Sequence, residues 1–226
     1  MTEEEIMIEL MNDILRVTGI CPIIAYAEPD QAVPAAQALV AGGLPVVEVL
    51  MRDENALSNM ASIAKNVPEV IVGAGTVLTE EQARIAIDNG AQYIVMPGIG
   101  RGCVEYCLKK NVPVIPGCIT PGEMTMAVEY GLPVVKFFPV YQLGGKEILD
   151  QYCGAYPMLK YMVTGALNET NFLPLLKNRS VLACGGDWMF TQGNALVNRD
   201  YELISRNLRE SVYMAQDLRN AMALEK

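Results

Sequence analysis

Short apolar runs rich in β-branched residues, bounded by glycine or proline, recur along the chain. They begin near Cys21, Pro45, Val70, Tyr93, Pro113, Val134, Tyr161 and Val181. Runs this short read as buried strands. Each is followed by a stretch of helical periodicity, expected to reach ten or more residues. Thr79 with Gln82 and Thr120 with Glu123 form capping-box pairs, with Pro121 at a first helical position. Gly42-Gly43, Asn89-Gly90 and Tyr130-Gly131 supply stops. Before the first strand, Thr2 with Glu5 fits a further capping box. Ile6, Leu10 and Ile14 then recur every fourth residue, which predicts an amphipathic helix within residues 1–18. The last helix is expected from roughly Asp200 to Ala223.

Eight evenly spaced strand-helix units, with no linker or low-complexity segment, fit one closed (β/α)8 TIM-type barrel over residues 1–226, carrying an extra N-terminal helix. At 226 residues a single domain of this kind is allowed.

One strand breaks the apolar rule. Pro133-Val134-Val135-Lys136-Phe137-Phe138-Pro139 places an ammonium group among apolar neighbours, with Val134, Lys136 and Phe138 on one face. Burial disfavours the charged form, so such an amine can act as a nucleophile towards a carbonyl and form a Schiff base. A lysine paired with a carboxylate, or one reaching out past the strand end, is the competing reading. In this fold, active sites gather at the C-terminal ends of strands. There the second strand offers Glu48, Leu50 and Arg52 on one face, as catalytic groups or as a structural ion pair. Gly73-Ala74-Gly75-Thr76 follows the third strand, its glycines explicable as turn chemistry. Thr164-Gly165 and Gly185-Gly186 follow the seventh and eighth, where barrels commonly bind phosphate through backbone N–H groups at a helix start.

Together these residues describe one chemistry: a neutral amine on Lys136 attacks a 2-oxo acid, Arg52 holds the acid's carboxylate, and Glu48 moves protons. That is a Schiff-base aldolase, which needs no metal or organic cofactor. Composition narrows the field further. The chain has no histidine, which removes Ser-His, Cys-His and His-zinc arrangements. Its net charge of -9 gives no footprint for nucleic acid. Six cysteines without a C-x-x-C pair read as reduced, buried thiols. The acidic start, Met1-Thr2-Glu3-Glu4-Glu5, lacks a signal peptide's basic region, and no apolar run approaches membrane-spanning length. A cytoplasmic protein with no membrane partner is expected.

Glu48-Val49-x-x-Arg52, Gly73-Ala74-Gly75-Thr76-Val77-Leu78, Pro97-Gly98, Pro116-Gly117, Lys136-Phe137-Phe138-Pro139 and Gly185-Gly186-x-Trp188 occur in that order. In this the chain resembles the class I 2-keto-3-deoxy-6-phosphogluconate (KDPG) / 4-hydroxy-2-oxoglutarate (KHG) aldolase family, from about Gly19 to the last helix. The resemblance implies that Lys136 is the Schiff-base lysine and Glu48 the general acid-base. It implies that Arg52 and Thr76 hold the pyruvate carboxylate, and that Pro97 and Phe138 line the pyruvate pocket. Thr164 would meet the substrate's hydroxyl region, with Gly165 and Gly186 at the distal group. It also implies a homotrimer acting on a small 2-oxo acid.

Phosphate-binding members of that family commonly read Thr-Gly-Gly and Gly-Gly-Ser-Trp at the two distal loops. This chain reads Thr164-Gly165-Ala166 and Gly185-Gly186-Asp187-Trp188. Two unit charges 4 Å apart repel by roughly 4 kcal/mol at an effective dielectric of about 20, so Asp187 weighs against a phosphorylated substrate. Its oxygens suit the hydroxyls of a neutral sugar-acid tail. Asp187 also reads as the N-cap of the following helix. Leu50, where phosphogluconate-type members usually carry threonine, makes the pocket more apolar. Two other functions compete: an isomerase or epimerase on the same fold with Glu48 as base, and a non-catalytic sugar-acid-binding protein.

Overall fold

The computed structural model describes residues 15–224. The capping box at Thr2 and Glu5 lies outside them. Of the expected N-terminal helix, residues 15–18 are described, and they are helical.

Eight parallel strands follow: β1 (Ile20–Ile24), β2 (Val46–Leu50), β3 (Ile71–Gly75), β4 (Tyr93–Val95), β5 (Val114–Ile115), β6 (Val134–Phe137), β7 (Lys160–Thr164) and β8 (Val181–Gly186). Each starts at or within one residue of the position that the apolar runs mark. All residues of β1 to β6 are buried, as parallel strands covered on both faces must be. The strands pair in the order β5-β4-β3-β2-β1-β8-β7-β6.

The seam between β5 and β6 closes the circle through one residue. The Lys136 N–H donates to the Pro116 carbonyl at 2.8 Å, and the Cys118 N–H donates to the Lys136 carbonyl at 2.9 Å, in a bridge opposite Gly117. A Cβ at Gly117 would stand 2.0 Å from the Pro97 carbonyl oxygen, so only glycine lets the two segments approach this closely.

The helices are α1 (Ala32–Ala41), α2 (Ala56–Asn66), α3 (Glu80–Asp88), α4 (Arg101–Lys109), α5 (Pro121–Glu129), α6 (Gly145–Ala155), α7 (Leu173–Leu176), α8 (Trp188–Thr191) and α9 (Tyr201–Leu224). The Thr120–Glu123 box forms in full at α5, and the Thr79 side chain caps α3. The expectation of ten or more helical residues after every strand is missed by one residue at α3, α4 and α5, with nine each, and fails outright after β7 and β8, where α7 and α8 have four residues each. Pro174 lies in the first turn of α7, and Gly193 turns left-handed (φ +66°) just past α8. The core is finished by α9, which packs on α1, α7 and α8.

Candidate active site

Alternation along β6 sends Phe137 outwards, where its ring centroid lies 5.8 Å from that of Tyr152 on α6. Lys136 points the other way, into the barrel. It is 4 % exposed, yet it is not alone: its Nζ lies 3.3 Å from Glu48 Oε1, and Glu48 is completely buried. The lysine is therefore paired with a carboxylate, the competing reading above. The partner is the proposed acid-base residue itself, so both descriptions apply to one pair. The Phe138 ring sits beneath the ammonium, 5.6 Å from centroid to nitrogen.

Two features of β3 make room for this pair. A Cβ on Gly75 would lie 2.1 Å from Glu48 Oε1, and one on Gly73 would lie 2.3 Å from the Tyr93 ring. Neither is a turn glycine; both stand in the strand because side chains from β2 and β4 cross there. Below, Tyr93 and Cys21 are buried with hydroxyl and sulfur 3.8 Å apart. Burial and the nearby Glu48 charge push the Cys21 thiol up to about 12, so it stays protonated at neutral pH and offers no thiolate. All six cysteines are free and buried.

Arg52 lies two residues past the end of β2, in a turn rather than on the strand. It forms no ladder with Glu48; its Nε donates to Thr76 Oγ1 at 2.9 Å. Thr76 holds a left-handed backbone (φ +58°), a costly conformation for a β-branched residue. The guanidinium and the hydroxyl are thus presented side by side at the rim.

A cleft of about 170 Å³ opens above Lys136, with Leu50, Arg52, Phe138, Thr164, Gly165 and Gly186 among its walls. Asp187 borders it as well. It occupies the N-cap position of α8, but its side chain makes no capping hydrogen bond, so the carboxylate is not consumed by the helix. Trp188 fixes this corner: its ring stacks on Phe172 at 5.2 Å and its Nε1 donates to Ser211 on α9 at 2.9 Å. Pro97 stands past β4, its carbonyl against Gly117. The loop after β7 reaches α7 only seven residues beyond Ala166, so the N–H groups of Gly165 and Ala166 are not at a helix start. Two buried acceptors at the site lack protein partners: Glu48 Oε2 and Thr164 Oγ1. Ile23, Ala25 and Leu167 also line the cleft, and no motif marked them. Among the described residues, no group of three Asp, Glu or Cys side chains converges as a metal site.

Residues 11–207 match the family model described as KDPG and KHG aldolase. The chain belongs to this aldolase family. That makes it a class I pyruvate aldolase, a lyase. It is similar to the KHG/KDPG aldolase of Escherichia coli K12, with 38% identity over 201 residues, 89% of this chain and 94% of that protein. It is 39% identical over 183 residues to the 2-dehydro-3-deoxy-phosphogluconate aldolase of Treponema pallidum, covering 81% of this chain and 87% of that one. Among solved structures, the KDPG aldolase of Legionella pneumophila, with pyruvate captured at low pH as a covalent carbinolamine intermediate, superposes with a TM-score of 0.84. The two are 29% identical, over 89% of this chain and 97% of the other. No helix of the described residues is long and apolar enough to cross a membrane.

Proposed function

We propose that this aldolase cleaves a 2-keto-3-deoxy or 4-hydroxy-2-oxo acid to pyruvate and an aldehyde through an imine on Lys136, and that the distal tail of its preferred substrate is neutral and hydroxylated. The observation that carries the first part is the buried Lys136–Glu48 pair at 3.3 Å, next to Arg52 and Thr76. Attack by Nζ on the C2 carbonyl gives a carbinolamine, and Glu48 protonates the departing hydroxyl to leave the iminium. Removal of the C4 hydroxyl proton breaks the C3–C4 bond, sends its electron pair into the iminium and releases the aldehyde. Protonation of the enamine at C3 and hydrolysis by one water return pyruvate and the amine. Arg52 and Thr76 face the carboxylate, and Thr164 Oγ1, buried without a protein partner, suits the C4 hydroxyl.

The second part rests on Asp187. Its free carboxylate borders the cleft, whose cationic walls, Lys136 and Arg52, are both committed to the pyruvate end. A phosphate there would meet repulsion, whereas hydroxyls would meet an acceptor. The family resemblance further supports a homotrimer; light scattering at several concentrations would test it.

Borohydride reduction with pyruvate, followed by peptide mass mapping, tests the chemistry. A reduced adduct on Lys136 is expected. Its absence from folded protein would overturn the imine and favour an isomerase or a binding protein. Steady-state comparison of phosphorylated, carboxylated and neutral substrates then tests the tail.

A further inference from the structure

At the opposite end of the barrel, where β7 and β8 begin, a second cleft of about 360 Å³ is lined by Arg16, Lys160, Arg179 and Arg219, with Asn178 beside them. The protein carries 26 acidic against 17 basic side chains, yet four of those 17 meet here. No described acidic residue lines the cleft. Asp150, which accepts from the lining residue Asn178 at 2.7 Å, is also occupied by Lys146.

Arg219 is the central group. Its Nη2 donates to the Leu182 carbonyl at 2.7 Å and to that of Val181 at 3.4 Å, which pins α9 to the barrel floor. Its Nη1 is buried with no hydrogen-bond partner. Burial lowers the guanidinium's pKa, the Cys184 side chain partly offsets this, and the positive charge of Arg16 lowers it again. A structural pin needs one side of the guanidinium fork; the other side is left as a desolvated donor among like charges. That costs free energy unless an anion supplies the acceptor. Arg179 and Lys160, both exposed, stand where they could reach the remaining oxygens of such an anion.

We propose that this floor cleft is a binding site for a small multivalent anion, a phosphate or polycarboxylate, distinct from the aldolase site. Its volume is about twice that of the catalytic cleft, enough for more than one acidic group.

Thermal unfolding of the full chain at constant ionic strength, titrated with inorganic phosphate, pyrophosphate or citrate against chloride, tests it. A saturable rise in Tm is expected, and the more effective of pyrophosphate and citrate identifies the headgroup. Arg219→Gln would also unpin α9, so the exposed pair is changed instead. Lys160→Gln/Arg179→Gln should weaken the apparent affinity about tenfold or more and leave aldolase turnover unchanged. Lys136→Ala should keep the anion response. No response in the wild-type protein, full response in the double variant, or loss of response in Lys136→Ala would each overturn the proposal.

Discussion

The two ends of the barrel treat charge in opposite ways. At the catalytic end, the cationic groups have protein partners, Lys136 on Glu48 and Arg52 on Thr76. The buried atoms left over there are the oxygens Glu48 Oε2 and Thr164 Oγ1. At the floor, Arg179 and Arg219 donate to backbone carbonyls, no described carboxylate lines the cleft, and the buried atom left over in Arg219 is a guanidinium donor. The catalytic end also stores backbone strain, with Thr76 at φ +58° and Ala166 at φ +53°. A site that exchanges protons keeps its acid, base and nucleophile in mutual contact. A site that only holds an anion has no such need.

Breaking the pair at the catalytic end should have the largest effect. Lys136→Ala should lower turnover by on the order of 10⁴-fold or more, and leave Glu48 a buried, unpaired carboxylate at a cost of about 3–5 kcal/mol. If so, adding Glu48→Gln recovers part of the stability and none of the activity; unfolding curves and progress curves on the same samples would decide. Wild-type turnover in Lys136→Ala would end the imine mechanism.

Gly75→Ala tests the same pair without removing it. The new methyl would displace the Glu48 carboxylate, and turnover should fall about 10²-fold. The reduced pyruvate adduct should still form, because Lys136 is intact. Unchanged kcat would show that the carboxylate's position is not critical.

Asp187→Ser should raise kcat/KM for a phosphorylated substrate by roughly tenfold or more and lower it for a neutral one. Equal effects on both would remove Asp187 from substrate choice. Smallest of all, Ala166→Gly should relieve the left-handed backbone and stabilise the protein by about 1 kcal/mol, seen as a Tm higher by a few degrees. A lower Tm would mean that the alanine methyl contributes packing worth more than the strain.

The strand pattern was legible because each apolar run is buried on both faces, and burial of that kind writes itself into local composition. Lys136 and Glu48 were legible for the converse reason: a charge inside such a run is conspicuous. Their contact was not, since it joins positions 88 residues apart through barrel closure. Gly73 and Gly75 read locally as turn residues, whereas crossing side chains from β2 and β4 require them. Nor could spacing foretell that helices after β7 and β8 would shorten to four residues.

By itself, then, the sequence determined the barrel and its aldolase family and singled out Lys136 and Glu48 as candidates, because periodicity, caps and out-of-place charges are local properties. The tertiary structure alone decided that Glu48 pairs with Lys136 rather than Arg52, that Asp187 is left uncapped beside the cleft, and that Arg16, Lys160, Arg179 and Arg219 share a floor. Each depends on distances between strands and helices remote in sequence, which only the closing of the barrel sets.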